Sequence, residues 1–267
     1  MINWREKLLG GLPIAECRVI DNHNHLGRWQ GFHVPGDGTI DQMIRSMDKL
    51  GIDQCFVTAH ASIGPDYIYG NNMVRDAIDK YPDRVLGYVT INPNYPEDME
   101  HEMDRCFAHK GFRGIKLHPS CHSRAIDYPA YRPVYERAER EGLPILIHVW
   151  GSGEVAEVDH LSAEYPNIRF LMGHAGADAE GMRYAMDLIN KRDNVYGDTA
   201  LSTALQGNIE WFVREANTKR ILFGSDMPFY DPTHTVARII MGDFSDEIKF
   251  DILGGNMARI LDKTDRD

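Results

Sequence analysis

The sequence predicts a single-domain α/β fold, a closed (β/α)8 barrel over residues 1–267, and three observations carry that expectation. Short runs rich in Val, Ile, Leu and Phe alternate with helix-period segments along the whole chain. Each interval has room for one strand and one crossover helix. Five of the runs carry His or Asp at or near their ends, and closing the sheet gathers those ends round one mouth.

Eight runs qualify as strands: 17–25, 54–59, 84–92, 112–118, 144–150, 168–174, 194–199 and 221–226. After the first, Thr39, Ile40, Asp41 and Gln42 form a capping-box pattern, and Ile40, Met43, Ile44, Met47 and Leu50 follow at helical spacing. Gly51 is the stop. Twice a helix closes on Tyr-Pro, at Tyr81-Pro82 before strand three and at Tyr165-Pro166 before strand six, because Pro ends a helix and presets the turn. Tyr131, Val134, Tyr135 and Ala138 make the stripe before strand five, ending at Gly142. Met182, Met186 and Ile189, then Ile209, Phe212 and Val213, mark two later helices expected to cover the barrel. No Gly/Ser-rich linker or charge block divides the chain. An open doubly wound sheet is the rival architecture, but it usually carries a Gly-rich phosphate turn, and none is present.

A hydrophobic share of 43% is enough for a folded core. The net charge of −11 argues against nucleic acid or an anionic membrane as partner, since both need basic surface. The first 18 residues hold no apolar core of signal-peptide length, and the most apolar stretch, 144–150, is too short to span a bilayer. Cys17, Cys55, Cys106 and Cys121 are scattered and read as reduced thiols. A cytoplasmic protein is the expectation.

The chemistry concentrates at the strand ends. The first strand finishes Asp21-Asn22-His23-Asn24-His25, and residues two apart on a strand share a face. His23 and His25 are therefore a preformed bidentate pair for a borderline divalent metal such as zinc. A lone histidine is most often a packed or surface residue. Here, however, strand four ends in His118, strand five in His148, strand six in His174 and strand eight in Asp226. Asp21 shares the His23 and His25 face one layer deeper and reads as support for the site.

These motifs resemble the amidohydrolase superfamily of metal-dependent TIM barrels, and within it the amidohydrolase-related branch that includes aminocarboxymuconate-semialdehyde decarboxylase. The resemblance runs from Asp21-Asn22-His23-Asn24-His25 through Gly114-Ile115-Lys116-Leu117-His118-Pro119 and Gly173-His174-Ala175-Gly176. It continues through Gly224-Ser225-Asp226-Met227-Pro228 to Gly254-Gly255-Asn256-Met257-Ala258-Arg259. It implies that His23, His25, His148 and Asp226 hold a divalent ion, foremost Zn(2+), with Mn(2+) or Fe(2+) as alternatives. His174 then binds a second ion or hydrogen-bonds the metal-bound water. Lys116 sits in a Lys-Leu-His-Pro setting similar to the Lys-Leu-Tyr-Pro of dihydroorotases, where a carbamylated lysine bridges two metals. Its other reading is a free ammonium that binds an anionic substrate.

The first functional expectation is a metal-dependent hydrolase, in which activated water attacks a C–O or C–N bond of a small carboxylated or cyclic substrate. Asp226 serves as general acid and base, and His174 stabilises the developing oxyanion. The second is a nonoxidative decarboxylase of an aromatic or muconate-like acid. The third is a non-catalytic metal-binding barrel. Arg28, Trp29, His118, Trp150 and Phe229 are expected to bind substrate, Arg28 through its fork geometry for carboxylates. Phe32, His33, Tyr67, Tyr69 and Asn71 are further wall candidates, whereas Cys121 reads as an inert thiol. A homodimer built on the final helix completes the expectations.

Overall fold

Parallel strands arranged as the eight staves of a barrel form the centre of a computed structural model that describes residues 2–264 except 12, 30, 32, 35 and 201–204. The strands are β1 (Ile20–Asp21), β2 (His25–Leu26), β3 (Gln54–Ala59), β4 (Val85–Thr90) and β5 (Phe112–Leu117). They continue with β6 (Pro144–Trp150), β7 (Arg169–Gly176), β8 (Val195–Asp198) and β9 (Ile221–Leu222). Each pairs in parallel with its neighbour in the order β1-β3-β4-β5-β6-β7-β8-β9, and β2 also pairs with β3. The backbone closes the ring. Asn22 N–H donates to Phe223 O at 2.9 Å, Asp226 N–H to His23 O at 2.9 Å and His25 N–H to Met227 O at 2.7 Å.

Two strand expectations need correction. The run 17–25 is split, because the Asn24 side-chain amide reaches back to Asp21 O and across to Phe56 O and interrupts the ladder. The last run keeps ladder pairing only over Ile221–Leu222, after which the chain turns to present Asp226 in the left-handed region at φ 60°.

Helices follow their sequence signals closely. The helix Ile40–Leu50 starts at Thr39, whose hydroxyl accepts from Gln42 N–H at 3.3 Å, and stops at Gly51 in the left-handed conformation, φ 78°. A Cβ at Gly51 would lie 2.1 Å from Ile14 O, so no other residue fits that stop. Tyr81 closes the helix Tyr67–Lys80, and Tyr165 closes Gly151–Glu164. The stripes at Met182, Met186 and Ile189, and at Ile209, Phe212 and Val213, are buried between helices and barrel. A short helix, Trp4–Leu9, precedes the barrel without any apolar stripe to announce it; Trp4 Nε1 anchors it on Asp246 Oδ1 at 2.6 Å.

The core has two parts. Outward-facing strand residues such as Val57, Val89, Ile115, Ile147 and Met172 pack under the helices. Inside, Ile20, Phe56, Tyr88, Leu146, Leu171 and Leu222 fill the lower barrel, with Phe56 and Tyr88 stacked at 4.7 Å. Met257, Ile260 and Leu261 of the helix Asn256–Asp262 close it from below. That helix therefore spends Met257, Ile260 and Leu261 on the barrel foot. Among the described residues, no helix is long and apolar enough to cross a membrane.

Candidate metal centre

Strand alternation sets the first layer of the site. Leu146 and Leu171 face inward, so His148 and Gly173, two residues on, do too. Likewise Tyr88, Gly114 and Tyr196 lead to Thr90, Lys116 and Asp198. His174 has the wrong parity for the interior. It reaches the mouth only because the chain turns left-handed there, φ 67° at His174 and 46° at Ala175. Non-glycine residues occupy this region at a cost, and such strain collects at functional sites. Gly173 has a separate reason: a Cβ there would stand 2.8 Å from His23 Cε1.

Three donors converge. His23, His25 and Asp226 are all buried, and one ligand atom from each lies within 4.8 Å of the other two. Asp226 Oδ1 is 3.4 Å from His25 Nε2 and 3.9 Å from His23 Nε2, yet it makes no hydrogen bond. Ligands about 2.1 Å from a tetrahedral ion stand about 3.4 Å apart. The spacing and the orphaned oxygen thus fit a divalent ion with two nitrogens and one oxygen. Each imidazole is braced from behind, His23 Nδ1 by Asp198 Oδ2 at 2.8 Å and His25 Nδ1 by Thr58 Oγ1 at 2.9 Å. Burial alone would raise the Asp226 carboxyl, but the surrounding His25, His23 and His174 outweigh it and hold it well below the usual range. Burial lowers both His23 and His25, so they stand as neutral ligands.

His148 does not join this group, contrary to the ligand set the resemblance implied. Its Nδ1 is 3.1 Å from His174 Nε2, and its ring stacks on His118 at 4.1 Å and Trp150 at 6.0 Å. His174 Nδ1 donates to Ala200 O, which leaves Nε2 to accept from His148. Lys116 is fully buried, with Nζ 3.3 Å from His23 Nε2. Burial pushes its pKa down to about 8. Asp21 clasps the first and last staves, its Oδ1 accepting from Ser225 N–H at 3.0 Å and His23 N–H at 3.3 Å.

A cavity of about 290 Å³ opens above the centre. His25, Asp226, His148 and His174 reach it from below, Trp29 and Phe229 form one wall, and His118 and Trp150 the other. His60 backs the first wall, stacked on His25 at 4.9 Å and packed on Phe229 at 4.4 Å. Arg28 is exposed and does not line the cavity, so the expected guanidinium clamp is not formed. His33 and Tyr69 are also exposed, while Phe32 lies outside the described residues. Asn71 is buried instead as a brace, bonded to the Thr90 backbone and to Glu102. Tyr67 is buried away from the wall, stacked on Tyr95 at 6.0 Å. Cys121 reaches the mouth, its Sγ 3.6 Å from His118 Nε2. The residues sequence reasoning missed are Asp198, Thr58 and His60. Asp198 ends a strand exactly as the ligands do, and that shared placement was the available signal.

A family model described as amidohydrolase matches residues 20–263. The chain is 22% identical over 251 residues to a gamma-resorcylate decarboxylase of Rhodococcus jostii (strain RHA1), covering 73% of this chain and 76% of that protein. It is 21% identical over 238 residues to a 2-amino-3-carboxymuconate-6-semialdehyde decarboxylase of Dictyostelium discoideum, covering 72% and 65%. A solved dihydroxybenzoic acid decarboxylase from Polaromonas sp. JS666, with bound manganese and the inhibitor 2-nitroresorcinol, matches with TM-score 0.74. That likeness spans 94% of this chain and 98% of the other at 19% identity, and it is a likeness of fold.

Proposed function

From the premise that this chain belongs to the amidohydrolase family, we propose that it is a metal-dependent nonoxidative decarboxylase of a small aromatic or muconate-like carboxylic acid. This is the second of the two enzyme readings of the sequence. Hydrolysis, placed first, has less behind it, because the named curated relatives are decarboxylases. The observation that carries the proposal is the convergence of His23, His25 and Asp226 beneath a cavity with aromatic walls.

His23, His25 and Asp226 would hold one divalent ion, with Mn(2+) as the ion found in a relative of the same fold and Zn(2+) suited to the same donors. His148, which lines the same cavity, is the candidate for a fourth position. When bound, the ion supplies positive charge that draws in the substrate carboxylate and offsets negative charge developing on the ring. Trp29 and Phe229 on one side and Trp150 on the other hold a flat ring and exclude water. With Arg28 outside, the buried Lys116 ammonium stands as a cationic side chain 3.3 Å from His23 Nε2. As carbon dioxide leaves, the bonding pair stays on the ring carbon, and a proton must arrive there. Asp226, whose carboxylate rests ionised with Oδ1 turned to the ion site, would take up a proton from water and pass it to that carbon. His174 lines the same cavity.

The test is carbon dioxide release from gamma-resorcylate by Mn(2+)-loaded protein, run beside lactone and amide hydrolysis. We expect decarboxylation, and a loss of about 10²–10⁴-fold in kcat for Asp226→Asn. Lactone or amide cleavage without carbon dioxide would restore the hydrolase reading. Full metal loading with no turnover of either kind would favour the binding-only barrel.

A further inference from the structure

Asp198 ends β8 with none of its surface exposed. One oxygen, Oδ2, is 2.8 Å from His23 Nδ1. The other, Oδ1, accepts from His174 N–H at 2.8 Å and Ala200 N–H at 3.1 Å. Across the same imidazole, Lys116 Nζ is 3.3 Å from His23 Nε2. A carboxylate only accepts hydrogen bonds and an ammonium only donates them. Both contacts therefore select one tautomer of His23, with the proton on Nδ1 and the lone pair on Nε2. Nε2 is the nitrogen that faces Asp226. The second oxygen works on a different strand end. It grips the backbone of His174 where φ is 67°, a conformation that a residue with a Cβ does not hold unaided.

We propose that Asp198 is the positioning residue of this metal centre: Oδ2 assigns the His23 proton to Nδ1, and Oδ1 braces the left-handed turn that aims His174. A single buried anion thus keeps a ligand's lone pair available and sets the bearing of the neighbouring imidazole. Replacement by Asn separates the two tasks. The amide oxygen keeps the bonds from His174 and Ala200, while the amide nitrogen faces His23 Nδ1, which must then accept. The His23 proton moves to Nε2 and blocks the lone pair.

The inference rests on the reading of His23, His25 and Asp226 as ion ligands, so its test uses no substrate and has one arm that needs no ion. Titration of the full chain with Mn(2+) alone should show affinity reduced about 10–100-fold in Asp198→Asn. The metal-free melting temperature should stay near the wild-type value. Nitrogen-15 NMR of the metal-free wild type should show His23 protonated at Nδ1, and the variant should show it protonated at Nε2. Unchanged Mn(2+) affinity in folded Asp198→Asn overturns the proposal, as does a wild-type spectrum with the proton on Nε2. Should the variant not fold, the wild-type spectrum decides. A wild type that takes up no Mn(2+) overturns the ligand reading together with this one, whereas failure to decarboxylate touches neither arm.

Discussion

The Lys116 ammonium lies wholly inside the barrel beside His23, and burial pushes its pKa from 10.5 down to about 8. Between those values the unfolded chain binds the proton and the folded chain does not, so stability rises with pH across that window. The metal-free wild type should therefore gain stability relative to Lys116→Met as pH increases from 8 to 10.5, read from urea melts at stepped pH. A constant difference would mean that the lysine is not desolvated. At this scale the sequence was informative where residues came in patterns. His23 and His25 declared themselves by spacing, and Asp226 by sharing a strand end with other polar groups. Asp198 carries the same strand-end signal at the close of Val195–Asp198, but without a motif around it to set it apart from a turn residue. Arg28 misled for a related reason: residue type announces what a side chain can bind, while the path of a loop decides whether it gets there.

Strands and turns carried the alternation rule for most of the site and broke it at His174. By parity that side chain belongs outside with Phe170 and Met172, and only the left-handed turn brings it in. No residue in Gly173-His174-Ala175-Gly176 states that the non-glycine members adopt positive φ, so the turn was not legible. Gly173 is the element's other dependency. Gly173→Ala would set a methyl 2.8 Å from His23 Cε1 and 3.1 Å from Ile147 O. His23 is pinned from behind and cannot swing away freely. We expect Mn(2+) affinity to fall at least tenfold, with roughly 1–3 kcal/mol lost from the metal-free fold, checked by titration and thermal melting. Cap signals, by contrast, translated directly. Thr39 and Gly51 bound the helix Ile40–Leu50 as expected, although only half of the capping box forms, since Gln42 Oε1 accepts from Asp37 and Gly38 N–H and Thr39 N–H donates to Asp37; Thr39→Ala should cost about 1 kcal/mol.

Over the whole molecule, closure of the sheet was legible because the ends of distant strands carried complementary chemistry. The way the foot is sealed was not, since Met257, Ile260 and Leu261 read as any amphipathic helix. Ile260→Ala should cost about 2–5 kcal/mol, lowering the melting temperature by several degrees while leaving Mn(2+) affinity unchanged. A coupled loss of affinity would mean that the foot and the mouth are mechanically linked.

The filled lower barrel gives the molecule a dead end rather than a passage. Among the described residues the cavity opens at the mouth between Trp29 and Trp150, so whatever enters there backs out the same way. On the decarboxylase proposal, a spent ring in that doorway would bar the next acid, and product should compete with substrate for the free enzyme.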